Sequence, residues 1–314
     1  MRTVNRKVVS TPGVDVITLQ MLHAGKYKSN RLICGLSAYG GLGYVPGLQY
    51  FRRNHMKEVR AELSKEFKIL ELHTFADLHI GDAHCDYKAI HDRIEHVRNT
   101  PNAYCVLNGD ILNNATKTSV SDMYGELLTP MQQVMQGVSL FAPIKDKILA
   151  VTTGNHEYRT YKKEGIDLSY IMAREMGLDD KFSPDGILLW VSFGESSRRR
   201  SDGRKMTYSI YMTHGGGGGR KEGAKAIRLA DMASIVDTDV YLHAHTHLPM
   251  VMKQAFYRAS PSTRSCALVD KLFVNTAANL GYGGYGQAME FKPSSKESPV
   301  IYLDGRRREM KATL

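Results

Sequence analysis

The chain has 314 residues, 42% of them hydrophobic and 24% charged, which is typical of a globular protein with one substantial core and a small appendage. No apolar stretch is long enough to cross a bilayer and no signal peptide is recognisable, so these features exclude a membrane-spanning chain. The four cysteines form neither a CxxC spacing nor a dense framework. This favours reduced thiols in a cytoplasmic protein over a disulfide-linked one.

The formal net charge of +10 is concentrated at the N-terminus. Residues 1–55 contain eight Lys or Arg and one acid, Asp15, so this segment carries +7 and the remainder only +3. Positive charge favours nucleic-acid partners in general, but the nearly balanced remainder says little about a substrate there. Residues 1–55 lack a helical or strand period and are interpreted as a basic, poorly ordered extension. It is a flexible arm, a targeting-like segment or residues upstream of a natural start at Met56, and the composition shift there favours the last.

Periodic structure begins at Met56. Lys57–Phe67 is predicted to be a short amphipathic helix or a charged lead-in to a buried strand. The predicted strands are, in chain order, Phe67–Phe75, Tyr104–Leu107, Lys147–Thr152, Leu188–Phe193, Thr207–Met212, Val240–Leu242, Lys271–Val274 and Val300–Leu303. The predicted helices are Tyr87–Asn99, Met131–Phe141, Leu168–Glu175 and Lys221–Ser234. Alternation at this spacing indicates layered α/β packing in one domain, residues 56–314.

Five polar clusters each follow a predicted strand. They are Asp77-Leu-His79-Ile-Gly81, Asn108-Gly-Asp110, Gly154-Asn-His-Glu157, Thr213-His214-Gly215 and His243-Ala-His-Thr-His247. Loops at strand ends can converge while the sheet stays rigid, so these clusters are expected to meet. An Asp and a His one residue apart can both turn towards one point as the chain leaves the sheet, and so can His245 and His247.

Carboxylate oxygens and imidazole nitrogens together suit borderline divalent ions such as Mn, Fe, Zn and Ni. Two such ions held close together need a shared ligand, and Asp110 is placed to be a bridging carboxylate. Each ion would polarise a phosphoryl oxygen, and a water between them would become hydroxide near neutral pH. The pattern therefore predicts a two-metal phosphoester hydrolase.

The ordered set Asp-x-His, Gly-Asp, Gly-Asn-His-Glu, His and x-His-x-His resembles the calcineurin-like metallophosphoesterase superfamily. The resemblance implies a four-layer α-β-β-α sandwich of two mixed sheets flanked by helices. The ligands it implies are Asp77, His79 and His247 for the first ion, Asn155, His214 and His245 for the second, and Asp110 as the bridge. It also implies that His156 protonates the leaving oxygen or stabilises the transition state. Ala244 stands where the family usually has glycine, which is a small change.

A closer resemblance covers about Phe75–Leu314 and is to phosphoesterases encoded in phages and prophages of Gram-positive bacteria. It is carried by the runs Asn108–Asp122 and Gly154–Arg159 and by the tail Glu290-Phe-Lys-Pro. The biological substrate of those relatives is undefined. More distantly, the Asp-x-His-x-Gly opening resembles the Mre11/SbcD-type nucleases.

Three side chains near the motifs are candidate substrate contacts, namely Asn114, Arg159 and Arg220. A solvated surface position is an equal alternative for Arg159. The run Gly215–Gly219 either cradles a phosphate or is a flexible loop that lets His214 leave its strand, and the flexible loop is favoured. The remaining histidines of the domain are predicted to be packing or surface residues, and His243 to lie behind the ligands: His73, His84, His91, His96 and His243.

These features predict a metal-dependent hydrolase with two divalent cations, Mn favoured and Fe, Zn or Ni as alternatives. The favoured substrate is a phosphodiester of DNA, RNA or a nucleotide, because of the Asp-x-His-x-Gly opening, the phage-like context and two basic turns, Arg198–Lys205 and Arg306–Arg308. The alternatives are a phosphomonoesterase or protein phosphatase, and a non-catalytic metal- or nucleic-acid-binding protein, which the full ligand set argues against. A membrane partner is not expected, the expected location is the cytoplasm (of a bacterial host if phage-encoded), and no pattern fixes an oligomeric state.

Overall fold

A computed structural model of the chain describes residues 56–117, 119, 123–197, 203–217, 219, 221–288, 290 and 292–314. The predicted N-terminal extension, residues 1–55, lies outside these ranges, and so does Arg220. Within the described ranges, no helix has the length and apolarity that crossing a membrane requires.

Strands and helices alternate along the described part of the chain. The strands are β1 Lys57–Glu62, β2 Ile69–Phe75, β3 Ala103–Asn108, β4 Ile148–Thr152, β5 Phe182–Ser183, β6 Ile187–Phe193, β7 Met206–Met212, β8 Val240–His243, β9 Met250–Ser260, β10 Ser265–Asn275, β11 Val300–Asp304 and β12 Met310–Thr313. The helices are α1 Tyr87–Asn99, α2 Pro130–Phe141, α3 Asn155–Glu164, α4 Leu168–Glu175, α5 Glu222–Asp231 and the short α6 Gly284–Ala288.

The strands form two mixed six-stranded sheets. One has the order β1-β6-β7-β8-β10-β9, and within it β7, β8 and β10 run parallel to one another. The other has the order β12-β11-β2-β3-β4-β5, and within it β2, β3, β4 and β5 are parallel. Parallel neighbours end at the same edge of a sheet, so the loops that follow them lie side by side.

Three buried clusters fill the spaces between the layers. One lies between the two sheets and includes Leu72 and Val106 from one sheet and Leu189 and Ile210 from the other. A second joins the outer face of β2, β3 and β4 to α1, α2 and α4, and a third joins β7, β8 and β10 to α5. The order helices, sheet, sheet, helix confirms the predicted four-layer α/β sandwich.

The helix α1 shows how the sequence fixes a flanking layer. Its N-cap Asp86 accepts a hydrogen bond from the Ala89 amide at 3.1 Å, which satisfies one of the free donors of the first turn. Ile90, Ile94 and Val97 recur every three or four residues and are buried against the sheet. The predicted bounds Tyr87–Asn99 are confirmed.

The predicted helix at Lys57–Phe67 is wrong, because residues 57–62 form the edge strand β1, paired in parallel with β6. Lys, Glu and Arg are good helix formers, but intrinsic propensity is small in energy, and pairing with β6 together with burial of Val59 outweighs it. The elements β9, β12 and α3 were not predicted. The burial of β9 alternates only over its second half, β12 has only four residues, and α3 buries only Glu157.

Candidate metal centre

The ends of five strands meet at one edge of the two sheets. The residues that follow them are Asp77 and His79 after β2, Asp110 after β3, Asn155 and His156 after β4, His214 after β7, and His245 and His247 after β8. Hydrogen bonds join the sheets there, among them those from Asn108 Nδ2 to Thr213 O at 3.0 Å and from the His245 amide to Asp77 Oδ2 at 3.1 Å. The predicted convergence of the motifs is therefore present.

A first group of donor atoms comes from Asp77, His79 and His247, which lie within 4.8 Å of one another. Asp77 Oδ1 is 3.2 Å from His247 Nε2, and the Nε2 atoms of His79 and His247 face each other at 3.4 Å. Asp77 and His79 are buried, whereas His247 is partly exposed and opens this group to solvent.

A second group comes from Asp110, His214 and His245, again within 4.8 Å. His214 Nε2 lies 3.2 Å from Asp110 Oδ2 and 3.1 Å from Asn155 Oδ1, so the amide of Asn155 adds a fourth donor atom. These are the residue types and number that a divalent cation of the Mn, Fe or Zn kind can use.

Asp110 connects the two groups. It also forms a third set with His79, which belongs to the first group, and with His156, whose Nε2 is 3.7 Å from Asp110 Oδ2. The other carboxylate oxygen, Oδ1, accepts a hydrogen bond from the His156 amide at 2.8 Å. Asp110 is thus the carboxylate placed between the two sets of donors.

The imidazole rings are oriented by partners that the sequence did not single out for this purpose. His79 Nδ1 is 3.2 Å from Asn113 Oδ1, His156 Nδ1 is 2.6 Å from Asn113 O, and His214 Nδ1 is 2.8 Å from Asn108 O. With a proton on each Nδ1, these bonds leave the Nε2 lone pairs directed into the centre. Asn113 therefore orients both His79 and His156.

Left-handed backbone conformations concentrate at this edge. Five of the implied ligands have positive φ although none is glycine: Asp77, His79, Asp110, His245 and His247, with φ between 48° and 65°. Each such residue costs about 1–3 kcal/mol, and strain of this kind persists where the surroundings enforce it, often at functional sites. The bends turn these side chains off the sheet and towards one another.

Gly154 allows the loop after β3 to touch the loop after β4. A Cβ atom on Gly154 would lie 2.1 Å from both the amide nitrogen and Oδ1 of Asp110. A second close approach is at Gly215, where a Cβ would lie 2.1 Å from His243 Nε2. The glycine after His214 thus accommodates a neighbouring ring as well as a positive φ of 91°.

Glu157 stabilises these loops by accepting hydrogen bonds from their backbone amides. Its carboxylate is fully buried and accepts hydrogen bonds from the amides of Asp110, Leu112 and Gly154, at 3.1, 2.8 and 3.0 Å. Burial and the charge of Asp110 raise the pKa of Glu157 to about 7. Glu157 therefore links the segment carrying Asp110 to the first turn of α3, which carries Asn155 and His156.

The charges of the centre are strongly coupled. Burial would raise the pKa of Asp110, but His156 and His214 outweigh it, and the pKa lies well below its usual value. Burial would lower the pKa of His214, yet the adjacent Asp110 carboxylate raises it to about 10. Burial lowers the pKa of His245 to about 4, with a further contribution from His214. Asp110 and His214 thus stabilise each other's charged forms, whereas burial favours the neutral form of His245.

The predicted substrate contacts have different surroundings. Asn114 is fully buried, and its Nδ2 donates to His156 O at 2.7 Å and to Thr160 Oγ1 at 2.9 Å, so its amide holds the start of α3. Arg159 is half-buried on α3, close enough for its charge to lower the pKa of His156 together with burial, the larger cause. Arg220 lies outside the described residues. Their contact with a substrate stays a prediction.

The histidines not assigned to the ions lie elsewhere. His243 is buried, and its Nδ1 is 2.7 Å from Asn275 Oδ1, behind the ligand loop. His91 is exposed on α1. His73 and His96 approach each other, with ring centroids 5.1 Å apart. The sequence predicted that they are packing or surface residues and did not predict that they lie next to each other.

The described residues of the two basic turns lie at the edge opposite to the centre, whereas residues 198–202 lie outside the described ranges. Arg204 and Lys205 directly precede β7, whereas His214 follows its end. Asp304, which leads into Arg306–Arg308, pairs with Ile69, the first residue of β2. The basic side chains near the centre belong to other residues. Lys225 and Arg228 of α5 donate to Thr246 O at 2.8 Å and to Gly216 O at 2.9 Å, in the loops that carry His245 and His214.

The fold and this cluster define a metal-dependent hydrolase of the α/β sandwich type. The family model "Calcineurin-like phosphoesterase" matches residues 78–249. The chain therefore belongs to the calcineurin-like phosphoesterase family and is a metal-dependent phosphoesterase.

Several solved structures are similar to the chain at low identity. A conserved uncharacterized protein from Streptococcus pneumoniae, described as a predicted phosphoesterase, is 13% identical, with 78% of this chain and 90% of that chain covered and a TM-score of 0.33. A Vps29 single mutant from Entamoeba histolytica is 11% identical, with coverages of 77% and 90% and a TM-score of 0.35. A metallophosphoesterase from Sphaerobacter thermophilus is 9% identical, with coverages of 75% and 84% and a TM-score of 0.34. A search of curated proteins found no match.

Proposed function

We propose that the strand-end centre binds two divalent cations that share Asp110. The first would be held by Asp77, His79 and His247, and the second by Asn155, His214 and His245. Two observations support this fit. Asp77 Oδ1 is buried and accepts no hydrogen bond from any described residue. The Nε2 atoms of His79 and His247 are 3.4 Å apart, and with the proton of each neutral ring on Nδ1 both would present a lone pair to a cation between them.

When bound, the cations supply Lewis-acid stabilisation of the phosphoryl oxygens and lower the pKa of water. The chain supplies position and proton transfer. His156 presents Nε2 beside Asp110, while its Nδ1 is held by Asn113 O. From there His156 would pass a proton to the leaving oxygen or stabilise the charge that develops on it.

The proposed substrate is a phosphodiester of a nucleic acid or nucleotide. The opening Asp77–Gly81 supports it by resemblance, and the partly exposed His247 leaves the centre open at the surface. Lys225 and Arg228, bonded to the ligand loops, add positive charge suited to an anionic substrate. The basic turns at the opposite edge give no support, since they could reach only distant parts of a long polymer.

A phosphomonoesterase is the second candidate, and Arg159 favours it. This residue follows Asn155 and His156 by about one helical turn, from which a guanidinium could hold the terminal oxygens of a monoester. A diester offers fewer charged oxygens for that contact.

The proposed physiological cation is Mn, with Fe, Zn or Ni as alternatives, because one amide, two carboxylates and four imidazoles make a mixed oxygen and nitrogen donor set. The proposed location is the cytoplasm, that of a bacterial host if the enzyme is phage-encoded. The free thiols of Cys85, Cys105 and Cys266 are compatible with a reducing compartment.

The experiment compares bis-p-nitrophenyl phosphate with p-nitrophenyl phosphate in the presence of Mn²⁺. The wild type, Asp110→Asn and Asp146→Asn are assayed side by side, the last as a matched control because Asp146 is exposed and far from the motifs in the fold. We expect Mn-dependent cleavage of the diester by the wild type and by Asp146→Asn, and its loss in Asp110→Asn. DNA, RNA and cyclic nucleotides would then be tested as substrates.

The other outcomes identify the alternatives. Preferential cleavage of the monoester would replace the diesterase proposal by a phosphomonoesterase. If neither ester were cleaved with Mn, Fe, Zn or Ni, the catalytic proposal would fail in favour of a binding protein.

A further inference from the structure

We propose that Glu71, His73 and His96 form a separate site for a divalent cation of the zinc type. The proposal is independent of the strand-end centre and goes beyond the proposed function. Glu71 and His73 lie two residues apart on β2, so their side chains share the face that α1 covers. His96 reaches the same place from the last turn of α1.

The spacing of the donor atoms suits one ion. One donor atom from each of the three residues lies within 4.8 Å of the others. Glu71 Oε2 is 3.0 Å from His96 Nε2 and 3.6 Å from His73 Nε2. Metal bonds of about 2.0–2.1 Å in a tetrahedron place neighbouring ligand atoms about 3.3 Å apart, which falls between these two distances.

His73 gives the second, independent observation. The residue is only 6% exposed, and its Nε2, directed at Glu71, has no hydrogen-bond partner among the described residues. A buried imidazole nitrogen without a partner is costly. Glu71 Oε2 bonds His96 Nε2 at 3.0 Å but lies 3.6 Å from His73 Nε2, which is too long for a hydrogen bond, so the His73 nitrogen is unsatisfied. A cation would satisfy it.

The chemistry of this cluster indicates which ion fits. Two imidazoles and one carboxylate with an open fourth position are a known ligand set for zinc, which then holds water in that position, and they suit related borderline ions. The His96 side chain is 50% exposed, so solvent can reach the open position. Arg93 opposes the cation, since its charge contributes to the low pKa of His73 after burial, but the Glu71 carboxylate offsets that charge. We therefore expect this site to bind zinc more weakly than a closed four-ligand site does.

An ion here would fasten α1 to β2. The hydrophobic contacts of Ile90, Ile94 and Val97 hold the buried side of α1, whereas His96 is on its exposed side. Since β2 ends two residues before Asp77, the ion would stabilise the strand that leads into the strand-end centre. Binding to the folded state alone raises apparent stability with ion concentration.

The test counts zinc ions per chain by elemental analysis after equilibrium dialysis of the full chain against Zn²⁺. The variants are His96→Ala and Glu71→Gln, with His91→Ala as the matched control because His91 is also an exposed histidine on α1. We expect the wild type and His91→Ala to bind one more ion than either ligand variant. This difference is independent of how many ions the strand-end centre holds.

Thermal unfolding provides a second measurement. Added Zn²⁺ should raise the Tm of the wild type and of His91→Ala by more than that of His96→Ala or Glu71→Gln, while circular dichroism without zinc is unchanged. Glu71→Gln keeps the shape of the side chain, so a folding defect in His96→Ala would leave the test valid. Equal zinc content in all four proteins would overturn the proposal.

Discussion

Alanine at position 154 would place a methyl group where the Asp110 carboxylate lies. The added Cβ would be 2.1 Å from Asp110 Oδ1, whereas ordinary contact begins at about 3.4 Å, so one of the two loops must move by about 1.3 Å. A displacement of about 1 Å in a catalytic constellation can cost ~10²-fold in rate. We therefore expect Gly154→Ala to lower kcat at least ~10²-fold, with overpacking costing about 1–3 kcal/mol of the free energy of unfolding.

The assay is Mn-dependent turnover of bis-p-nitrophenyl phosphate, combined with urea unfolding. Gly223→Ala is the matched control, because a Cβ there meets nothing within 4 Å and position 223 lies in α5. In a helix, alanine is favoured over glycine by roughly 0.8–1.0 kcal/mol. The control should keep full turnover and be as stable as the wild type or more so.

Turnover of Gly154→Ala equal to that of the wild type would show that the contact between the β3 and β4 loops does not set the position of Asp110. Loss of turnover with an unchanged free energy of unfolding would still be compatible with a local shift. The backbone of Gly154 has φ −97°, so altered backbone preference does not explain the effect.

Three further outcomes are expected. His156→Gln should lower turnover by ~10²–10⁴-fold while bound metal, measured by elemental analysis, is unchanged; loss of metal would contradict its placement as a proton-transfer group. Asn113→Ala removes the acceptor that orients His79, so the apparent affinity for Mn²⁺ in a titration of activity should fall about 10–100-fold and turnover should recover at saturating Mn²⁺. Tyr208→Phe removes a hydroxyl that lies within 3.0 Å of three carbonyl oxygens at the opposite edge, which should cost about 1–3 kcal/mol in urea unfolding without changing kcat; a fall in kcat would indicate coupling between the two edges.

Much of the fold was predictable because its inner strands are apolar and short. The strands β2, β3, β4, β7 and β8 and the helices α1 and α4 were identified, since burial on one or both faces gives a clear pattern. Edge elements were harder to predict. In β1, charged residues that are good helix formers lie in a strand because β6 offers free backbone partners. In β9, burial alternates only over the second half of the strand, and pairing with β10 defines the whole of Met250–Ser260.

The residues of the candidate centre could be named from the sequence because each directly follows a strand. The residues that orient these side chains could not be predicted from the sequence. Asn113 and Glu157 act through hydrogen bonds to residues as many as 47 positions away, and no local period reports such contacts. The same holds for His73 and His96, which belong to different elements and meet only through the packing of α1 on β2. The position of the basic turns likewise follows from strand direction and not from composition.

The central claim is that two cations share Asp110, and the most direct measurement is the anomalous X-ray scattering of crystals grown with Mn²⁺. We expect two manganese peaks at the strand-end centre, one contacting Asp77, His79 and His247, the other contacting Asn155, His214 and His245, and both contacting Asp110. A single peak there, or manganese bound only elsewhere in crystals of protein that cleaves the diester, would contradict it.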